Sequence, residues 1–226
     1  MKPWHVLARA STPDGTELTL TRHTNEFVIL ADGHSLMSSR MHGSEDALAV
    51  LGCQRARLLP RPRVLVGGLG MGFTLRAALD ILPPGARVVL VELVPAVVEW
   101  NRGPLAALAD RPLDDRRVAL EERDVAEVLR SGSGRFDAVL LDVDNGPAAL
   151  TLASNAGLYD ARGIASAHRS LAAGGVLALW SAREDPRFER QLRAGGFSVR
   201  RERATGRPNN RGARHTILLA LKRDRA

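Results

Sequence analysis

The sequence predicts an α/β protein: a doubly wound, mostly parallel, Rossmann-like sheet preceded by a small N-terminal β-hairpin domain. Three observations carry this expectation. From Arg63 onward, short apolar runs alternate with stretches whose apolar residues fall at helical spacing. The runs VLV, VVLVEL and AVLLDV show no polar alternation, the pattern of strands covered on both faces in a parallel sheet. Gly67, Gly68, Gly70 and Gly72 stand between the first of these runs and a helical stretch, where such sheets bring their backbone close to a ligand.

Ahead of that alternation, WHVLARA, TELTLTRH and EFVILADGHSLMSS are β-like and carry the turn signals PDG, TN and ADG, so residues 1–42 read as a meander of hairpins. Ser44 precedes EDALAVLGCQRARLL, whose apolar residues have helical spacing. A serine followed by an acid is an N-cap candidate, and the chain turns helical there. Residues 43–226 form the second domain. Beyond Pro60 it reads as strand RVLVGG, helix FTLRAALDIL, strand ARVVLVEL, helix PAVVEWNRGPLAAL, strand RVALEERD, helix VAEVLR and strand FDAVLLDVD. A helix near ARGIASAHRSLA, strand GGVLALWS, helix RFERQLRAGG and a last strand in RHTILLAL complete it, with GRPNNRG (206–212) as a loop.

Composition narrows the function classes. With 226 residues, 45% hydrophobic and 25% charged, the chain is long enough for one well-buried core. Its apolar stretches fall short of the roughly 20 residues that cross a bilayer, and MKPWHVLARA lacks the apolar run of a signal peptide. The expectation is a cytoplasmic protein with no membrane partner. The single Cys53 excludes an internal disulfide framework and a cysteine-rich zinc site, and its setting in ALAVLGCQ reads as a buried thiol. The net charge is +7, nearly all of the basic charge being arginine. In EERDVAEVLR and SAREDPRFERQLR the arginines are interleaved with acids, as on solvated helix faces. Only the end, from Arg200 through Arg214 to Arg225, is concentrated enough for a basic patch, which leaves nucleic acid open as a partner without favouring it.

The glycine series Gly68, Gly70 and Gly72 lets the backbone turn sharply and presents the free N–H groups of the next helix. Glu92 ends the following strand, twenty positions after Gly72, where a carboxylate accepts both hydroxyls of a ribose. Asp124 is read as ending the third strand, where it accepts from an adenine amine, with Val125 beside it. These features stand at the carboxyl ends of consecutive strands, and a single short loop points to one adenosine rather than a dinucleotide. The fourth strand runs into Asp142, Asp144 and Asn145, candidates to orient or deprotonate a nucleophile; an Asx turn into Pro147 is the plain structural reading of Asp144 and Asn145. Trp180, at the end of GGVLALW, and His215 are candidates for the acceptor pocket, while His168 reads as structural.

With these residues in view, the chain resembles the spermidine synthase-like family of polyamine aminopropyltransferases, which share their sheet with class I methyltransferases. The resemblance rests on the hairpins followed by SEDALAV, on VGGLGMG, on VEL with Glu92, on RD at 123 and 124, and on FDAVLLDVDNGP followed by LY at 158 and 159. It implies a donor loop at the glycines, a ribose acid at Glu92, an adenine-side acid at Asp124, and Asp142 as the group that activates the attacking amine. Tyr159 falls in the segment that follows the aspartate motif and joins the acceptor-pocket candidates. The family's N-terminal domain implies a homodimer.

The chain also departs from that family. Met71 is read at the position of an aspartate that holds the amine of the aminopropyl group. Gly43 and Ser44 stand where a tyrosine and a histidine line the site, Leu36 replaces a glutamine, and GRPNNRGARHT replaces an aromatic-rich segment. The leading expectation is transfer from S-adenosylmethionine or decarboxylated S-adenosylmethionine to a small-molecule amine acceptor. Methyl transfer to a small molecule is the runner-up, and a non-catalytic adenosyl- or nucleic-acid-binding module is a third reading. No metal is expected, because LWSARED lacks the acid and amide pair that metal-dependent O-methyltransferases carry after the next strand.

Overall fold

The hairpin region forms a four-stranded antiparallel sheet in sequence order, β1 (His5–Ser11), β2 (Glu17–His23), β3 (Glu26–Ala31) and β4 (His34–Ser38). Thr24 and the Asp32–Gly33 pair take positive φ at the turns, where short polar residues and glycine tolerate it. The structure, a computed structural model, describes residues 3–143, 156–207 and 212–223. Among these no helix is long and apolar enough to cross a membrane.

The second sheet contains β5 (Arg63–Gly67), β6 (Arg87–Glu92), β7 (Val118–Glu122), β8 (Phe136–Leu141), β9 (Leu171–Ser181), β10 (Phe197–Thr205) and β11 (Arg214–Lys222). Its order is β10-β11-β9-β8-β5-β6-β7. The five strands β5 to β9 run parallel, and β11 lies antiparallel to both β9 and β10. The helices are α1 (Gly43–Gly52), α2 (Phe73–Ile81), α3 (Pro95–Arg102), α4 (Val125–Ser131), α5 (Ala156–Tyr159), α6 (Ala161–Ser170) and α7 (Pro186–Ala194).

Period-two alternation divides the strands between two apolar layers, as burial on both faces requires. Val64, Val66, Ala138, Leu140, Val176 and Ala178 face one layer with α1, α2 and α3. Leu65, Val139, Leu141, Leu177 and Leu179 face the other with α4, α6 and α7. Leu18, Leu20, Ile29 and Ala31 of the N-terminal sheet belong to the first layer. That sheet therefore packs against the core beside the glycine loop.

Local structure departs from the sequence reading in four places. Ser44 is not the N-cap of α1; His42 holds that position, and the Ser44 hydroxyl donates to Glu45 Oε2 at 2.6 Å. The helix of PAVVEWNRGPLAAL ends at Arg102, because Gly103 and then Pro104 interrupt the backbone ladder. The strand before Asp124 ends at Glu122, and Asp124 is instead the N-cap of α4, its Oδ1 accepting from Ala126 N–H at 2.7 Å. The segment FSVRRERAT forms β10, which no apolar run announces, because an edge strand tolerates charge and needs only one neighbour. Its charges are partly matched: Arg201 and Arg203 pair with Glu184, and Arg200 with Glu202.

Gly52, the last residue of α1, sits where an added Cβ would lie 2.3 Å from Leu140 Cδ2 and 2.8 Å from the Ala178 Cβ. This close approach seats α1 on β8 and β9. Gly52→Ala is expected to destabilise the fold by about 1–3 kcal/mol through overpacking. At roughly 2–4 °C per kcal/mol for a chain of this size, a thermal melt reads that as a drop of several degrees.

Candidate active site

A cavity opens at the carboxyl ends of β5, β6 and β8, with an empty volume of about 1150 Å³ including its mouth. The second sheet and its loops supply Gly68, Gly70, Glu92, Asp124, Val125, Asp142 and Trp180. The N-terminal sheet supplies Leu18, Ile29, Leu36 and Met37, and α1 supplies Glu45.

The glycine loop is shaped by contacts that exclude side chains. Gly68 has φ +87, and a Cβ there would lie 2.3 Å from the backbone oxygen of Asp142. Only glycine satisfies both the left-handed backbone and this approach. The Gly68 N–H donates to Val91 O at 2.8 Å, and the Asp142 N–H donates to Gly67 O at 2.9 Å, which stitches the loop to β6 and β8. Gly70 faces the cavity, its carbonyl accepting from Asn101 Nδ2 at 2.8 Å. Gly72 precedes α2 and turns the other way, toward Pro112 and Asn101, so it shapes the loop without lining the cavity.

Glu92 is buried at the end of β6. Its Oε2 accepts from Leu69 N–H at 2.8 Å and its Oε1 from Val94 N–H at 2.9 Å. Burial raises its carboxyl above the usual range, and these amides pull in the opposite direction. The amides of Leu93 and Gly70 add to that pull, and Glu92 lines the cavity. Asp124 likewise spends Oδ1 on its helix cap while lining the cavity.

At the end of β8, Asp142 is half-buried, and its Oδ2 accepts from Thr74 Oγ1 of α2 at 2.6 Å. Dehydration pushes its carboxyl upward. Glu45 lies in the same wall, 8% exposed. Burial, and then the nearby Asp142 charge, raise its carboxyl to about 7. Asp144, the second acid of the motif, lies outside the described residues, as do Asn145 and Pro147.

The acceptor-pocket candidates separate. Trp180 lines the cavity. His215 stands behind it, the two rings 4.7 Å apart, and does not line the cavity. Burial lowers the His215 pKa, and among the described residues neither Trp180 Nε1 nor His215 Nδ1 has a hydrogen-bond partner. Tyr159 is not in the cavity at all. It packs edge-on against Phe188 of α7 at 5.6 Å, in the opposite apolar layer, because α5 turns its ring toward that core. His168, read as structural, packs edge-on against Phe197.

Met71 also differs from its expected role. It is fully buried in the layer with Phe73 and Leu75, so it does not face the cavity. Its neighbour Gly70 lines the cavity instead, and a Cβ there would meet Met37 Cε at 2.9 Å and Sδ at 3.0 Å. A thioether from β4 thus fills the space that a loop side chain would need. Sequence reading missed Met37, Thr74 and the placement of Glu45. The acid beside Ser44 was visible, but nothing local showed that α1 would aim it at β8.

Three solved structures share this architecture. The chain is similar to a spermidine synthase in complex with the transition-state analogue AdoDATO, with a TM-score of 0.73 and 20% identity over 96% of this chain and 72% of that one. It is similar to a spermidine synthase from Thermotoga maritima, with a TM-score of 0.72 and 20% identity over the same shares. A probable spermidine synthase from Corynebacterium glutamicum gives a TM-score of 0.66 and 18% identity over 96% of this chain and 80% of that one. No protein-family model and no curated protein matches the sequence. The fold is spermidine synthase-like.

Two outcomes follow from this geometry. Glu92→Ala removes the acceptor of two buried amides, so it is expected to lower stability by about 1–3 kcal/mol in urea unfolding, in addition to any loss of ligand affinity. Glu45 has the opposite linkage from an ordinary carboxylate: its folded pKa of about 7 exceeds the reference value of 4.5, so the folded state binds more protons than the unfolded state between them. Stability therefore falls as pH rises through that window. The lowered His215 pKa contributes the reverse slope just below 6.5. Urea midpoints of the parent and Glu45→Gln across pH 5 to 8 separate the two, and the variant is expected to have a shallower downward slope, the raised carboxyls of Glu92, Asp142 and Asp46 supplying what remains.

Proposed function

We propose that this protein is a transferase that moves an aminopropyl group from decarboxylated S-adenosylmethionine to an amine acceptor. The observation that carries the reading is Asp142, half-buried in the wall of a cavity that the Gly68 loop and Glu92 also line. The cradle fits an adenosyl donor: a backbone kept bare at Gly68, and a carboxylate at Glu92 in the cavity wall to meet ribose hydroxyls. The spermidine synthase-like fold supports the same class. The acids Glu45 and Asp142 in this wall favour a cationic donor without a carboxylate, since S-adenosylmethionine would bring a further negative charge to them.

The donor supplies an activated carbon next to a sulfonium, and the protein's residues align and dehydrate the partners. Asp142 accepts the proton that the attacking amine loses, as a C–N bond forms and the C–S bond breaks with its electron pair left on sulfur. Thr74 fixes the carboxylate through its hydroxyl, so that the basic oxygen stays at the cavity surface.

Calorimetric titration with decarboxylated S-adenosylmethionine, S-adenosylmethionine and methylthioadenosine tests the donor assignment. The decarboxylated form is expected to bind most tightly, and absence of binding by all three would remove the reading. With diamines and polyamines as acceptors, Asp142→Asn is expected to lower turnover by about 100- to 10,000-fold with donor affinity nearly unchanged. Parent-level turnover in that variant would exclude Asp142 as the base.

A further inference from the structure

Glu45 stands in the cavity wall, and neither donor binding nor the role of Asp142 accounts for it. Its position is rigid. It lies in the first turn of α1, a helix seated on β8 and β9 through Gly52, and the Ser44 hydroxyl is bonded to its Oε2. Asp142 is held from the other side by Thr74. Two carboxylates from separate elements, Glu45 buried and Asp142 half-buried, thus share one cavity wall, each oriented by a hydroxyl.

The charged groups around them are otherwise engaged. Asp46, on the same turn as Glu45, pairs with His42 at 2.9 Å. Arg123 pairs with Glu127 and Glu121, and Glu92 and Asp124 are bonded to backbone amides. Among the described residues, no arginine, lysine or histidine forms an ion pair with Glu45 or Asp142. Buried carboxylates without a counterion are unfavourable as anions, and a cation that enters between them relieves both dehydration and mutual repulsion.

We propose that Glu45 and Asp142 together seat one alkylammonium group of the acceptor, with Glu45 positioning it for proton transfer to Asp142. This rests on the transferase reading above. Leu18, Ile29, Leu36 and Met37 in the same cavity offer apolar surface to the methylenes of such a ligand. Entry of the cation displaces the proton that the acid pair retains, and that proton leaves to solvent. Glu45 then stays ionised and holds the nitrogen, while Asp142 is free to take the proton the nitrogen gives up.

The test is calorimetry of butylamine binding to the full chain saturated with methylthioadenosine. It is run just below the Glu45 pKa of about 7, in two buffers of different ionisation heat. The parent is expected to release a proton on binding. Glu45→Gln is expected to weaken butylamine binding by about tenfold or more and to abolish the release, with methylthioadenosine affinity unchanged. Equal butylamine affinity and equal proton release in parent and variant would overturn the inference. Should Glu45→Gln fail to fold, Ser44→Ala replaces it: loss of the hydroxyl is expected to move the proton release to higher pH, and an unmoved release has the same negative meaning. If methylthioadenosine binds to no form, the nucleoside reading fails, and butylamine titrated into the free protein still decides whether the acid pair seats a cation.

Discussion

The carboxylate of Glu92 holds the glycine loop in place, and the rest of the cavity is built around that loop. One oxygen is bonded to Leu69 N–H inside the loop and the other to Val94 N–H before α3. A buried carboxylate is costly unless its lone pairs are matched, and the backbone amides around it supply that match. Gly68 can then fold back against the Asp142 carbonyl, and Asn101 grips the Gly70 carbonyl from α3. A cavity-facing acid and a structural clamp are here one side chain.

The opposite end of the cavity has the reverse balance. Glu45 and Asp142 each receive one hydroxyl hydrogen bond, against burial that disfavours both anions. The fold tolerates this because α1 and α2 are anchored elsewhere, by the tight seat of Gly52 and by the apolar layer containing Leu48 and Leu75. Stability stored in the core thus maintains a region that is electrostatically incomplete, as is common where charged ligands react.

Much of the fold was legible because its determinants are local. The unalternating runs around Val64, Val88 and Ala138 imply strands buried on both faces, and glycines between a strand and a helix imply a backbone that approaches a ligand. The placements of Glu92 and Asp142 followed from these runs, since each acid stands at a strand's carboxyl end. The misreadings concern direction. Met71 and Gly70 are adjacent, and which of them faces the cavity depends on the φ of +52 at Gly70 and on Met37 occupying the space above it. Tyr159 follows the aspartate motif closely in sequence, yet its ring belongs to the layer of Phe188.

The sequence by itself determined the alternation of strands and helices, the bare backbone of the glycine loop, and the acids at the ends of β6 and β8, because periodicity and glycine content act over a few residues. Tertiary structure alone decided that Glu45 shares a cavity wall with Asp142, that the N-terminal sheet supplies an apolar wall, and that Trp180 faces the cavity while His215 stands behind it. These relations join residues tens to about a hundred positions apart. They depend on how α1 and the first sheet pack against the parallel sheet, a balance of shape and burial over the whole core that no short stretch of sequence contains.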